Sequence, residues 1–137
     1  MKHPFSFPKS EHLCGEILIN RLFAQGDAFM AYPLRVVCLI EKDDSPREAI
    51  KVMVSVPKKR FKRAVKRNRL KRLMRESYRL NKSLLAGKPE TNGLKVMVAF
   101  NYVADQELDF QSIEKKMKQA LQKIADKIDL HSADVSL

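Results

Sequence analysis

Residues 50–85 read IKVMVSVPKKRFKRAVKRNRLKRLMRESYRLNKSLL, and this stretch decides the fold. Ile50, Val52, Val54 and Val56 alternate with Lys51, Met53 and Ser55, the period-two pattern of a strand with one face on a core and the other more open. Pro57 ends the strand. The period then changes: Leu70, Leu73, Met74, Ser77, Asn81 and Leu84 fall along one side of a helix from about Arg63 to Leu85. At 100° per residue, Asn68, Lys71, Arg72, Arg75 and Arg79 gather on the opposite side, with Arg67 and Arg69 flanking them. Beyond a loop at residues 87–93, Leu94 to Asn101 is short and rich in apolar residues, as a buried strand is. Strand, helix and strand in series predict a crossover unit.

Upstream, Ile19, Leu22 and Phe23 recur at helical spacing within residues 16–25, and Gly26 follows where helices commonly stop in the left-handed conformation. Residues 28–41 are β-branched and aromatic and are interrupted by Pro33, which predicts a strand over 34–41 preceded by a shorter piece. Arg35 then shares a face with Val37 and Leu39. The polar Asp43-Asp44-Ser45-Pro46 between this strand and the next predicts an antiparallel hairpin. Downstream, Ile113, Met117, Ala120, Leu121, Ile124 and Ile128 mark a last helix from Asp109 to Asp129. The prediction is an α+β domain over residues 1–129, a two-layer α/β sandwich in the order α-β-β-β-α-β-α, with residues 130–137 as a loose tail.

Charge is distributed unevenly. The chain of 137 residues carries 27 Lys+Arg against 16 Asp+Glu, net +11, yet residues 58–82 alone hold thirteen cations and one acid, Glu76. The rest of the chain is close to neutral. A field confined to one segment attracts polyanions and weakens with salt, so nucleic acid is the leading partner class. A solvated helical face normally mixes its signs. Here acids able to pair at i+4 are scarce, arginine exceeds lysine, and Asn68 adds a donor–acceptor group able to meet bases or 2′-hydroxyls.

Catalytic signatures are missing from the sequence. His3, His12 and His131 lie near the ends, no Cys-x-x-Cys or His-x-x-x-His pair occurs, and four glycines build no phosphate loop. The carboxylates Asp43-Asp44 and Asp105/Glu107/Asp109 sit at loops and helix starts, where solvation and capping account for them. No residue is assigned a catalytic role and none a metal. Phe23, Phe61, Tyr78, Phe100 and Tyr102 read as core. Cys14 and Cys38 read as free thiols, Cys38 buried in an apolar run, which fits a reducing, cytoplasmic setting. The N-terminal residues lack the apolar segment of a signal peptide, and no window is apolar enough to span a membrane.

Val54-Ser55-Val56-Pro57-Lys58-Lys59, followed by Ala64-Val65-Lys66-Arg67-Asn68-Arg69-Leu70-Lys71-Arg72-Leu73-Met74-Arg75-Glu76, resembles the signature of the bacterial ribonuclease P protein component. The resemblance implies a left-handed β-α-β crossover, against the usual right-handed rule. It further implies a protein that binds a large catalytic RNA and, with it, removes the 5′ leader of precursor tRNA, the hydrolysis using Mg²⁺ held mainly by the RNA and no cofactor bound by the protein alone. Carried over, Lys58, Lys59, Lys66, Arg67, Asn68, Arg69, Lys71, Arg72, Arg75 and Arg79 would face the RNA subunit. Phe23, Arg35, Val37, Lys51 and Ser55 would line the cleft that holds the leader. Two positions depart from the pattern: Ile19 stands where the family often has an aromatic, and Lys59-Arg60-Phe61-Lys62-Arg63 replaces a glycine-containing link. The residues alone are also compatible with a structural RNA-binding protein of the ribosome. A DNA regulator reading with residues 66–82 as recognition helix lacks its helix-turn-helix partner.

Overall fold

The computed structural model describes residues 7–43, 49–85, 89 and 93–135, the side chains of 132–135 excepted. The elements are α1 (Glu16–Gln25), β1 (Asp27–Ala31), β2 (Leu34–Lys42), β3 (Ile50–Ser55), α2 (Ala64–Asn81), β4 (Leu94–Tyr102) and α3 (Phe110–Val135), with 3-10 turns at Lys9–Glu11 and Lys82–Leu85. Four strands form one sheet in the order β1-β2-β4-β3. β1 pairs with β2 through a turn containing a cis Tyr32–Pro33 bond, β2 pairs antiparallel with β4, and β3 pairs parallel with β4.

The expected hairpin of residues 34–41 and 50–56 does not form, because β4 lies between its two strands. β4 is buried along Val96–Phe100 on both faces, so it belongs in the middle, where both edges of its backbone find ladder partners. The two alternating runs flank it instead. The Asp44–Pro46 part of the turn reading lies outside the described residues. The crossover reading holds: β3 and β4, joined through α2, are parallel neighbours.

Alternation along the strands gives the sheet two different faces. Val36, Cys38, Val52, Val54, Val96, Val98 and Phe100 point to one, where Leu70, Met74 and Tyr78 of α2 and Ile113, Met117, Leu121 and Ile124 of α3 close the main core. Val37, Met97 and Ala99 point to the other, where they meet Leu13 and Leu22 beneath α1, with Ile19, Leu39 and Met53 packed around them. Helices therefore lie on both faces, but only the short α1 covers the second.

Gly26 ends α1 in extended backbone with φ −76°, not in the left-handed conformation. Its requirement is space: a Cβ there would stand 2.5 Å from the Leu22 carbonyl oxygen and 2.9 Å from Val37 Cγ1. Glycine lets the helix end come down onto β2. α2 stops at Asn81 and tightens into the 3-10 turn that carries Leu85 into the core. α3 runs to Val135, past the Asp129 at which the apolar period stops, so residues 130–135 are helical where a tail is expected; Leu130 is exposed, which is why the pattern gives no sign of the extension. Asp109 caps α3, its carboxylate accepting from Ser112 N–H at 2.8 Å, and that bond holds the carboxyl below its usual pKa range.

Candidate nucleic-acid interface

α2 presents its cations because its opposite side is committed to the core. Leu70, Met74, Ser77 and Tyr78 are buried against the sheet and α3, which turns Asn68, Arg72 and Arg75 to solvent and leaves Lys71 half-buried. Among the described residues, Lys58, Lys59, Lys71, Arg72 and Arg75 make no ion pair or side-chain hydrogen bond, which leaves each charge available to an external anion. Val65, 79% exposed, adds an apolar spot to the same side at the first turn.

The remaining cations of the expected set are already engaged. Arg67 donates from Nη1 to the carbonyl oxygens of Phe61 and Lys62, both at 2.8 Å, and so ties the 57–63 link to the start of α2. Lys66 and Arg69 both reach Glu107, at 3.6 and 3.4 Å, and Arg60 pairs with Asp105 at 2.6 Å. These contacts cross a cleft of about 560 Å³ between the link and the β4–α3 loop. Arg79 pairs with Glu76 at 2.5 Å, a bond that lowers the carboxyl pKa and raises that of the guanidinium. The stripe therefore divides into free cations in its middle and paired ones at its two ends. Sequence spacing along α2 shows Glu76 but not Asp105 and Glu107, which arrive from another element.

The second surface is the end of the sheet that α1 leaves bare. Register puts Arg35, Asn101 and Ser55 side by side on β2, β4 and β3, on the face away from the main core. Ser55 Oγ donates to Asn101 Oδ1 at 2.6 Å, and Asn101 Nδ2 donates to the Arg35 carbonyl at 3.2 Å, so the three form a polar row. Arg35 is exposed, Phe23 is 44% exposed on α1, and Lys51 is half-buried two rows further along β3. Val37 is the exception among the expected cleft residues: at 3% exposure it is packed beneath Leu22 of α1 and cannot touch a ligand. Asn101 is the residue that sequence reading misses, since only the register of β4 between β2 and β3 brings it there. Phe61, Tyr78, Phe100 and Tyr102 are core residues as expected, whereas Phe23 is not.

The polar row and the cation stripe adjoin. Ser55 closes β3, and Val56-Pro57-Lys58-Lys59 lead directly from it toward the N-terminus of α2. Among the described residues no His/Cys/Asp/Glu group is arranged to hold a metal ion, and no helix is long and apolar enough to cross a membrane.

The profile of the family described as Ribonuclease P matches residues 7–125. The chain belongs to the ribonuclease P protein family. It is 45% identical over 121 residues to the ribonuclease P protein component of Porphyromonas gingivalis, covering 88% of each chain, and 38% identical over 112 residues to that of Chlorobaculum tepidum, covering 75% of this chain and 71% of the relative. The ribonuclease P proteins of Staphylococcus aureus and Thermotoga maritima share the fold. The first superposes with a TM-score of 0.60 at 21% identity over 85% of this chain and 96% of that one. The second gives 0.58 at 22% identity over 82% and 96%. Ribonuclease P is an RNA-processing endoribonuclease of tRNA maturation, and RNA is the partner class of its protein component. The free cations of α2 have the chemistry such a partner calls for.

Proposed function

We propose that this chain docks through the α2 stripe and the Lys58-Lys59 link on the catalytic RNA of ribonuclease P, and holds the single-stranded 5′ leader of precursor tRNA over the bare end of the sheet. The observation that carries the reading is the adjacency of two surfaces of different chemistry. One is a row of unpaired cations suited to folded phosphate backbone. The other is a polar row with a half-exposed ring, Phe23, suited to stacking and hydrogen-bonding an extended strand. One ligand spanning both would be a substrate whose cleavage site lies between an RNA body and its leader.

In this reading the protein supplies position and charge. Arg72 and Arg75 contact the RNA subunit first, Lys71, Lys58 and Lys59 widen the contact, and Arg67 acts by holding the link in place. Hydrolysis belongs to the RNA and its Mg²⁺ ions, which the protein assists by bringing the substrate's polyanion close to them. Family membership favours this reading over a ribosomal or a DNA-regulatory role.

Titration of the RNA subunit with wild type, Arg72→Ala and Arg75→Ala across a salt series tests it. Each single substitution is expected to weaken binding by ~1–3 kcal/mol if the contact is bidentate, and by less if it is a simple phosphate contact that lowers the salt slope by about one. Wild-type affinity and slope in both variants would remove α2 from the interface.

A further inference from the structure

Between the α2 stripe and the open sheet face, at the outer edge of β3, lies a pocket that neither surface accounts for. Its volume is about 190 Å³, and Phe7, His12, Val52, Met53, Val54 and Arg75 line it. The chain before α1 makes its wall: His12 pairs with Val52 as an isolated parallel bridge, and Leu13 N–H donates to the Val52 carbonyl at 2.8 Å. The ring of Phe7 packs on His12 with centroids 4.2 Å apart, and also meets Tyr78 edge-on at 5.1 Å. Lys82 and Glu11 anchor the segment to α2 through an ion pair of 2.8 Å.

Two features say what the pocket would take. His12 Nε2 is buried and has no hydrogen-bond partner. A buried ring nitrogen left unpaired costs free energy, and native structures rarely tolerate one without a ligand, an ion or a water to meet it. Arg75 stands at the other side of the same pocket, exposed and unpaired, on the stripe that we read as the RNA-docking face. Volume then limits the guest. At ~30 Å³ per water, the space equals about six waters, enough for a flat heteroaromatic ring and too little for the sugar and phosphate attached to it.

We propose that this pocket receives a single unstacked base of the RNA that lies on α2. The base would slide in edge-first against the apolar wall of Val52, Met53 and Val54, exchange a hydrogen bond with His12 Nε2, and leave its phosphate outside beside Arg75. The driving terms are those of single-strand recognition, stacking on side-chain surface plus one polar contact to the base edge. The site would fix the register of the RNA on a stripe whose other contacts, being to phosphate, carry no sequence information. The inference rests on the proposed RNA-docking role of α2.

The test is chemical probing of base edges, with methylation and carbodiimide reagents, in the complex of the full-length protein with its RNA subunit. Wild type is compared with His12→Phe, which keeps the ring and removes Nε2, with His12→Trp, which fills the pocket, and with Arg72→Ala. The expected result is one nucleotide whose base edge is protected by wild type, loses that protection with both His12 variants, and keeps it with Arg72→Ala at saturating protein. Binding by His12→Trp should weaken roughly tenfold, equivalent to ~1.4 kcal/mol. If Arg72→Ala weakens binding while the His12 variants leave affinity and every base edge unchanged, the pocket has no base and the stripe stands. If Arg72→Ala also binds as wild type does, the docking role of α2 falls and the pocket proposal falls with it. Should His12→Trp fail to fold, unchanged base protection with His12→Phe is sufficient to overturn the proposal.

Discussion

Arg67 and Arg72 sit five residues apart in one basic motif, yet the structure gives them different tasks and so different signatures on substitution. Arg67 Nη1 donates to two backbone carbonyls, Phe61 and Lys62, across the turn that enters α2. A hydrogen bond from a charged donor contributes ~1.5–3 kcal/mol, and the partly exposed setting of both bonds places the sum at the low end, so Arg67→Ala should destabilise the fold by about 2 kcal/mol. For a domain of this size ~1 kcal/mol moves the midpoint by about 4 °C, which makes the expected fall roughly 8 °C. Arg72, exposed and without an intramolecular partner, should leave Tm within about 1 °C when replaced by Ala, while weakening RNA binding. Thermal unfolding followed by circular dichroism, paired with RNA-subunit titration, separates the two. Arg67→Lys should lie between, because an ammonium keeps the charge but cannot span both carbonyls with the same fork. If Arg67→Ala melts as wild type does and loses affinity as Arg72→Ala does, the clamp is incidental and Arg67 is an RNA contact like its neighbour.

Three further outcomes follow from particular contacts. Glu107→Gln frees both Lys66 and Arg69, so RNA affinity should rise severalfold at low salt, with a log–log salt slope steeper by up to about two, read by filter binding over a salt series; an unchanged slope would show that neither lysine nor arginine reaches the RNA. Phe61→Ala opens a hole among Tyr102 and the main core and should cost ~3–5 kcal/mol in urea unfolding, whereas Phe23→Ala, at a half-exposed ring, should cost under ~1 kcal/mol and instead reduce the preference for precursor over mature tRNA. Burial pushes the Cys38 thiol up to about 12, which keeps it protonated and unreactive at neutral pH, while Cys14 is exposed; a thiol reagent at pH 7–8 should label one cysteine in the folded protein and two in denaturant.

Local pattern made much of this molecule legible. The alternation of Ile50 to Val56 and the 3.6-residue period from Leu70 to Ser77 give both elements and their buried sides correctly, because each pattern records which face a single element must hide. What the pattern could not carry was which strand sits beside which. The hairpin reading failed because the turn-like composition after β2 is equally compatible with a longer connection, and only the two-sided burial of β4 requires it to come between. The same limit applies to the site. The cation stripe is visible because its residues share one helix, whereas the polar row of Arg35, Asn101 and Ser55 exists only through register, and the acids Asp105 and Glu107 meet the basic segment across the fold. Val37 and Phe23 exchange roles for a related reason: how far α1 covers the second sheet face depends on Gly26 letting it approach β2, a distance that no periodicity encodes.

Single-turnover cleavage of precursor tRNA by the cognate RNA subunit at low, near-physiological Mg²⁺, with and without this protein, tests the central claim most directly. A marked gain in rate with the correct mature 5′ end, lost together with RNA affinity in an Arg72→Ala/Arg75→Ala double variant that folds normally, is the predicted result. Tight, salt-sensitive binding to that RNA with no gain in cleavage would contradict it.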